Sequence, residues 1–131
     1  MEGFTNLMNG TNDILHKMQV LKFILFSYLL RVRESSMRWK YELLNAYSAD
    51  TEPPDIEYQG ILFQATELVL SSKHQLQLIM DAYDSANWTK AHARNLRVMP
   101  NIFNETAKIL DQMNRTVERK INLGYYFLES K

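Results

Sequence analysis

The chain has 131 residues, a usual length for one domain, and 46% of them are hydrophobic. Fifteen basic residues balance fifteen acidic ones, so the formal net charge is zero and no overall field draws the protein onto nucleic acid or an anionic membrane. The sequence has no cysteine, which excludes disulfide frameworks, thiol catalysis and thiolate metal sites, and its four Gly and three Pro leave little turn chemistry for a many-stranded β fold. We therefore expect one helical domain over residues 1–131.

The first predicted helix covers about residues 12–47. A row of mostly apolar side chains recurs along it at alternating spacings of three and four, which keeps the row on one face and is typical of coiled-coil packing. Asn12 and Asp13 suit its start, because short polar side chains accept hydrogen bonds from first-turn amides. The row comprises Ile14, Met18, Leu21, Leu25, Tyr28, Val32, Ser35 and Trp39.

Residues 20–30 of this helix are apolar around most of its circumference, so the segment should be covered on several sides. A membrane span needs about 20 apolar residues, and Lys22 and Arg31 limit the run to roughly half of that. Two shorter helices can cover only part of this surface, so we expect a protein partner or self-association through helix one. The predicted contact residues are Phe23, Phe26, Leu29, Leu30 and Trp39.

A loop is predicted around residues 48–55, where two adjacent prolines disfavour helical geometry. Asp55 can cap a second helix over about residues 56–84, and the short connection predicts that helices one and two are antiparallel. The inward row of this helix is Leu62, Ala65, Val69, Ser72, Leu76, Ile79, Tyr83 and Ala86, and Phe63, Leu68 and Leu78 widen it.

The C-terminal third is predicted to contain a short helix or turn at about 88–98, a break at Pro100 and a third long helix over about 101–123 that ends at Gly124. A continuous, kinked helix from Asn87 onward is the alternative. The third helix should direct Ile102, Phe103, Ile109, Leu110, Met113, Val117 and Ile121 inward. The expected fold is all-α, an antiparallel bundle of three long helices with coiled-coil-like packing and the first helix overhanging.

Catalytic, cofactor and metal signatures are not found. None of His16, His74 and His92 belongs to a His-Glu-x-x-His motif, and the pair of Asp13 and His16 is only the nearest approach to the Glu-x-x-His of di-metal bundles. The glycines are scattered, so no Gly-rich loop cradles phosphate. We expect no enzyme activity, no cofactor and no metal site.

Two clusters of basic residues, each accompanied by a tryptophan, could contact phosphates and stack a base. With zero net charge, solvated helix faces are the favoured interpretation, and nucleic-acid binding depends on whether the clusters coincide in the fold. The candidate contacts are Arg31, Arg33, Arg38 and Lys40 in the first cluster, and Trp88, Lys90, Arg94 and Arg97 in the second.

The aromatic run Tyr125, Tyr126 and Phe127 follows the predicted end of helix three, and it should pack either on its own bundle or on a partner. Without a basic and apolar leader at the start, and with four Asn-x-Thr sequons read as incidental, the chain is expected to be intracellular, in cytoplasm or nucleus. The functional hypothesis is a non-enzymatic protein-protein interaction or scaffold subunit of a larger homo- or hetero-oligomeric complex. The alternative is an adaptor with a nucleic-acid-binding basic surface.

Overall fold

The computed structural model describes residues 13–47 and 55–129, and side chains within 13–42 and 55–122. Three helices follow one another: α1 at Ile14–Tyr47, α2 at Ile56–Asp84 and α3 at Lys90–Glu129. Every pair of helices is in contact, so the prediction of an all-α three-helix bundle is confirmed. The predicted loop lies outside the described residues up to position 54, as do the side chains of Tyr125, Tyr126 and Phe127.

Contacts between the helices give their relative directions. Near the end of α1, Trp39 stacks on Tyr58 in the first turn of α2 with ring centroids 4.1 Å apart, so α1 and α2 are antiparallel. Tyr28 meets Phe103 at a centroid distance of 5.8 Å, and Arg38 farther along α1 pairs with a residue farther along α3. The bundle is therefore up-down-up, and α1 continues past the start of α2 to Tyr47.

An aspartate side chain caps the N-terminus of each of the first two helices. The Asp55 carboxylate accepts a hydrogen bond from the backbone amide of Tyr58 at 2.9 Å, which satisfies one of the free donors in the first turn of α2. Asp13 accepts from the backbone amide of His16 at 3.2 Å in the same way. The pairing of Asp13 with His16 thus has a capping role at the start of α1.

The predicted inward row of α1 forms one wall of the core. Six of its eight side chains are buried, and Ile14 and Val32 pack against them from partly buried positions. The row of α2 is buried from Ala65 to Ile79, but its far end, Tyr83 and Ala86, is exposed. The prediction that Phe63 and Leu78 widen the buried face of α2 is wrong, because both point to solvent.

Helix α3 passes through Pro100 without interruption, so the predicted break and the separate short helix at 88–98 are wrong. The continuity expected in the alternative is observed, but the helix begins at Lys90 and not at Asn87. Core packing explains the difference, because Leu96 and Met99 before the proline and Phe103 after it are all buried on one side of the helix. Ile102, by contrast, is exposed. Gly124 does not end the helix, which continues to Glu129.

Ion pairs join the helices at the bundle surface. Arg31 donates to Asp111 at 2.8 Å and Arg38 donates to Glu118, which link α1 to α3. Glu57 at the start of α2 accepts from Arg119 and, at 2.9 Å, from Lys120 on α3. The hydrogen bond from Arg38 lowers the pKa of Glu118, and the hydrogen bond from Lys120 is the main cause of the lowered pKa of Glu57.

These two lowered pKa values predict an acid-sensitive contribution to stability. A carboxylate whose pKa is lower in the folded state stabilises the fold above its unfolded pKa, about 4.3 for Glu, and the contribution is lost as the pH falls through its folded pKa. We expect Glu118→Gln and Glu57→Gln each to reduce the difference between the melting temperatures at pH 6 and pH 3. The effect should be small, because both carboxylates are exposed.

Thermal denaturation followed by circular dichroism at the two pH values measures this. Glu105→Gln is the matched control, because Glu105 pairs with Lys108 inside α3 and joins no two helices. An unchanged pH dependence in both test variants would contradict the role of the interhelical pairs.

Candidate functional site

The outer side of α1 carries a stripe of exposed apolar side chains. Phe23 is 75% exposed and Phe26 is 62% exposed, values far above those of the buried row on the same helix. Phe26 follows Phe23 by three residues and Leu30 follows Phe26 by four. Met37 and Tyr41 continue at intervals of seven and four residues, so all five side chains lie along one face of the helix. The stripe comprises Phe23, Phe26, Leu30, Met37 and Tyr41.

A second exposed row lies on α2. Ile56 is 90% exposed, Phe63 is 68% exposed and Leu70 is also exposed. The three recur at intervals of seven, so they follow one another along a single stripe of the helix. The next position in the same register is Gln77, which lines a groove against α1.

Between α1 and α2 lies a groove of about 590 Å³ whose lining side chains come only from these two helices. Phe23 and Phe26 of the α1 stripe are among them, whereas Ile56, Phe63 and Leu70 are not. The apolar walls of the groove include Leu25, Phe26 and Leu76, while Lys22 and Lys73 stand on opposite sides. Because α3 contributes nothing to this lining, the groove opens on the side of the bundle away from α3. The name α1–α2 face is used below for the exposed surface that comprises Phe23, Phe26, Leu30, Met37, Tyr41, Ile56, Phe63 and Leu70.

Most of the described residues that the sequence predicted as an interface fall on this face. Phe23, Phe26 and Leu30 belong to it, and Leu29 is partly buried beside them where it lines the groove. Trp39 does not, because only 1% of it is exposed and it is part of the core.

Sequence reasoning missed the contribution of α2, together with Met37 and Tyr41 on α1. It assigned the surplus of apolar surface to helix one and expected the second helix to satisfy its own face. The signal was nevertheless present, since Ile56, Phe63 and Leu70 recur every seven residues outside the predicted inward row.

The two basic clusters do not coincide. Arg31 pairs with Asp111, which lies about 20 Å farther along α3 than Arg97 at roughly 1.5 Å per residue. The first cluster is also partly neutralised, because Arg31 and Arg38 are engaged with acidic residues while Arg33 and Lys40 are exposed.

In the second cluster Lys90, Arg94 and Arg97 are exposed, but Trp88 is partly buried against the core. Its indole meets the Tyr83 ring edge-on, with centroids 5.9 Å apart. The His92 ring also lies against the indole, with centroids 5.8 Å apart, so part of the Trp88 surface is already covered within the fold.

Across 13–47 and 55–129, no group of three or more His, Asp or Glu side chains is arranged to hold a metal ion. Over the same residues, none of the helices combines the length and apolar character that crossing a membrane requires. The α1–α2 face is therefore the principal candidate among the described residues. The chain matches no known protein family, no curated protein and no solved structure at a level that indicates relationship.

Proposed function

We propose that this protein is a non-enzymatic subunit of a larger assembly and that it docks on another protein chain through the α1–α2 face. The observation that carries the proposal is that α1 and α2 expose eight large apolar side chains, of which Phe23 and Phe26 also line the groove between the two helices. Monomeric soluble proteins rarely expose contiguous apolar patches above roughly 300–600 Å². Covering the face with a partner removes this surface from water.

The character of the face suits a helical partner. Apolar side chains line the groove between two antiparallel helices, and such grooves accept the apolar stripe of a further amphipathic helix at the packing distances of a helix bundle. Four of the exposed side chains, Phe23, Phe26, Tyr41 and Phe63, are aromatic. Aromatic residues are enriched where protein interfaces are most strongly stabilised.

Site-specific photo-crosslinking in the native cell tests the proposal. A photoreactive side chain replaces Met37 on α1 in one variant and Phe63 on α2 in another, since both are exposed and outside the core. We expect both positions to give covalent adducts, and we expect the crosslinked partner protein to be the same in the two cases. Lys108, exposed on α3, is the matched control position and should give no such adduct. Equal labelling at all three positions, or no adduct at Met37 and Phe63, contradicts the proposal.

A further inference from the structure

The area of the α1–α2 face is large enough for a stable dimer. A whole Phe or Tyr side chain carries roughly 150–250 Å², so the four largely exposed aromatic side chains contribute on the order of 500 Å². With the four aliphatic members, the face approaches the roughly 800 Å² that each partner buries in a standard specific interface. One protein chain with a complementary face is therefore sufficient to cover it.

The register of α1 against α2 makes the face complementary to itself. Because α1 and α2 are antiparallel, each step back along α1 from Trp39 matches a step forward along α2 from Tyr58. Met37 therefore lies at the same height along the bundle as Gly60, and Tyr41 at the same height as Ile56. Consider a two-fold axis that runs parallel to the helices, in front of the groove between α1 and α2. Rotation about this axis keeps the height of every residue along the bundle and brings α1 of one protomer opposite α2 of its partner. Each helix of the face then meets an antiparallel neighbour across the interface, as in a four-helix bundle.

Gly60 provides space in this arrangement. A glycine inside a helix costs about 1 kcal/mol relative to alanine, and no close packing within the described part of the chain requires one here, because a Cβ at this position would meet nothing within 4 Å. The missing side chain leaves a depression between Ile56 and Phe63, its neighbours on the exposed row. Met37 of the opposing protomer lies at the same level and can fill it.

Charge is also complementary in this arrangement. By the same counting, Arg33 on α1 lies within one helical turn of the level of Glu67 on α2. Both side chains are exposed, and within the described residues neither takes part in an ion pair. The two-fold arrangement brings Arg33 of one protomer near Glu67 of the other, and it does so twice.

We infer that the occupant of the α1–α2 face is a second copy of this chain, in a symmetric dimer in which α1 of each protomer packs against α2 of the other. This inference rests on the proposed function, since it names the partner of the same surface. The dimer buries Phe63 near the middle of the face and Phe23 and Phe26 toward one end, and it leaves both α3 helices on the outside.

Sedimentation equilibrium of the purified full chain at up to about 100 µM tests the inference, since any Kd below that concentration gives a mostly dimeric sample. We expect twice the chain mass of 15.4 kDa for the wild type. Phe63→Asp should weaken association at least 10-fold. Ile102→Asp, at an exposed apolar position on α3, is the matched control and should leave the dimer intact. A monomer at every concentration, or equal weakening by both variants, overturns the inference.

A charge exchange tests the arrangement without disturbing the apolar side chains. Arg33→Glu alone should weaken dimerisation several-fold, because it places two carboxylates together. The double variant Arg33→Glu with Glu67→Arg should restore it, since the exchange preserves attraction across the axis. Failure of the double variant to recover any affinity overturns the two-fold arrangement. A monomeric wild type that still crosslinks through Met37 and Phe63 to a different protein overturns the dimer and leaves the proposed function standing.

Discussion

Replacement of Trp39 by alanine is expected to lower the free energy of unfolding by about 3–5 kcal/mol, the usual loss for a large buried aromatic side chain. Trp39 is among the largest fully buried side chains of the core, and it stacks on the buried ring of Tyr58 with centroids 4.1 Å apart. The substitution leaves a cavity where α1 and α2 meet, and it removes the stacking contact as well. A fall in melting temperature on the order of 10 °C or more should follow.

Trp39→Phe is the matched control, because it keeps a ring against Tyr58 while removing the indole donor. No described residue accepts a hydrogen bond from the Trp39 Nε1 atom, so its loss leaves no acceptor unpaired within the described part of the chain. We expect Trp39→Phe to cost less than half as much as Trp39→Ala. Chemical denaturation at one fixed protein concentration measures both, since self-association makes stability concentration-dependent. Equal losses in the two variants would show that the stacked ring contributes little.

Replacement of Pro100 by alanine is expected to stabilise the protein by about 1–2 kcal/mol. Proline inside a helix lacks the amide donor for the carbonyl four residues earlier, here that of Leu96, and costs about 3 kcal/mol relative to alanine. Part of that gain is offset, because Pro100 is buried and alanine fills less of its space. The melting temperature should therefore rise.

Pro100→Gly separates the missing hydrogen bond from helix propensity. Glycine also restores the amide donor but is about 1 kcal/mol less favourable than alanine within a helix. The expected order of stability is alanine, then glycine, with the wild type at or below glycine. A lower melting temperature for Pro100→Ala than for the wild type would mean that the proline ring contributes more by packing than it costs in the backbone.

The Pro100 region shows why local sequence reasoning failed for α3. Taken alone, a proline indicates a helix boundary, because its effect on the backbone is local and unfavourable. The buried side chains nevertheless continue at three- and four-residue spacings on both sides of it: Leu96, Met99, Phe103, Ala107, Leu110, Met113 and Val117. Burial of that uninterrupted row offsets the local cost, and this balance depends on α1 and α2 being present to cover it.

The exposed α1–α2 face was only partly predictable for a different reason. Periodicity shows that Phe23 and Phe26 lie away from the main row of α1, but it does not show whether another helix covers them. A fully buried segment and one awaiting a partner have the same pattern, as residues 20–30 illustrate. Trp39 is the opposite case, because its place in the inward row predicts burial and the structure buries it in the core.

The sequence by itself determined the helical class, the Asp55 cap and the buried row of α1, because these depend on local hydrogen bonding and on a period that one helix imposes on its own side chains. Only the tertiary structure decided that α3 passes through Pro100 and that Ile56, Phe63 and Leu70 on α2 stay exposed together with the stripe of α1. These features depend on where the helices meet and which surfaces they leave uncovered. Contacts between residues far apart in the chain set both, and no local pattern records them.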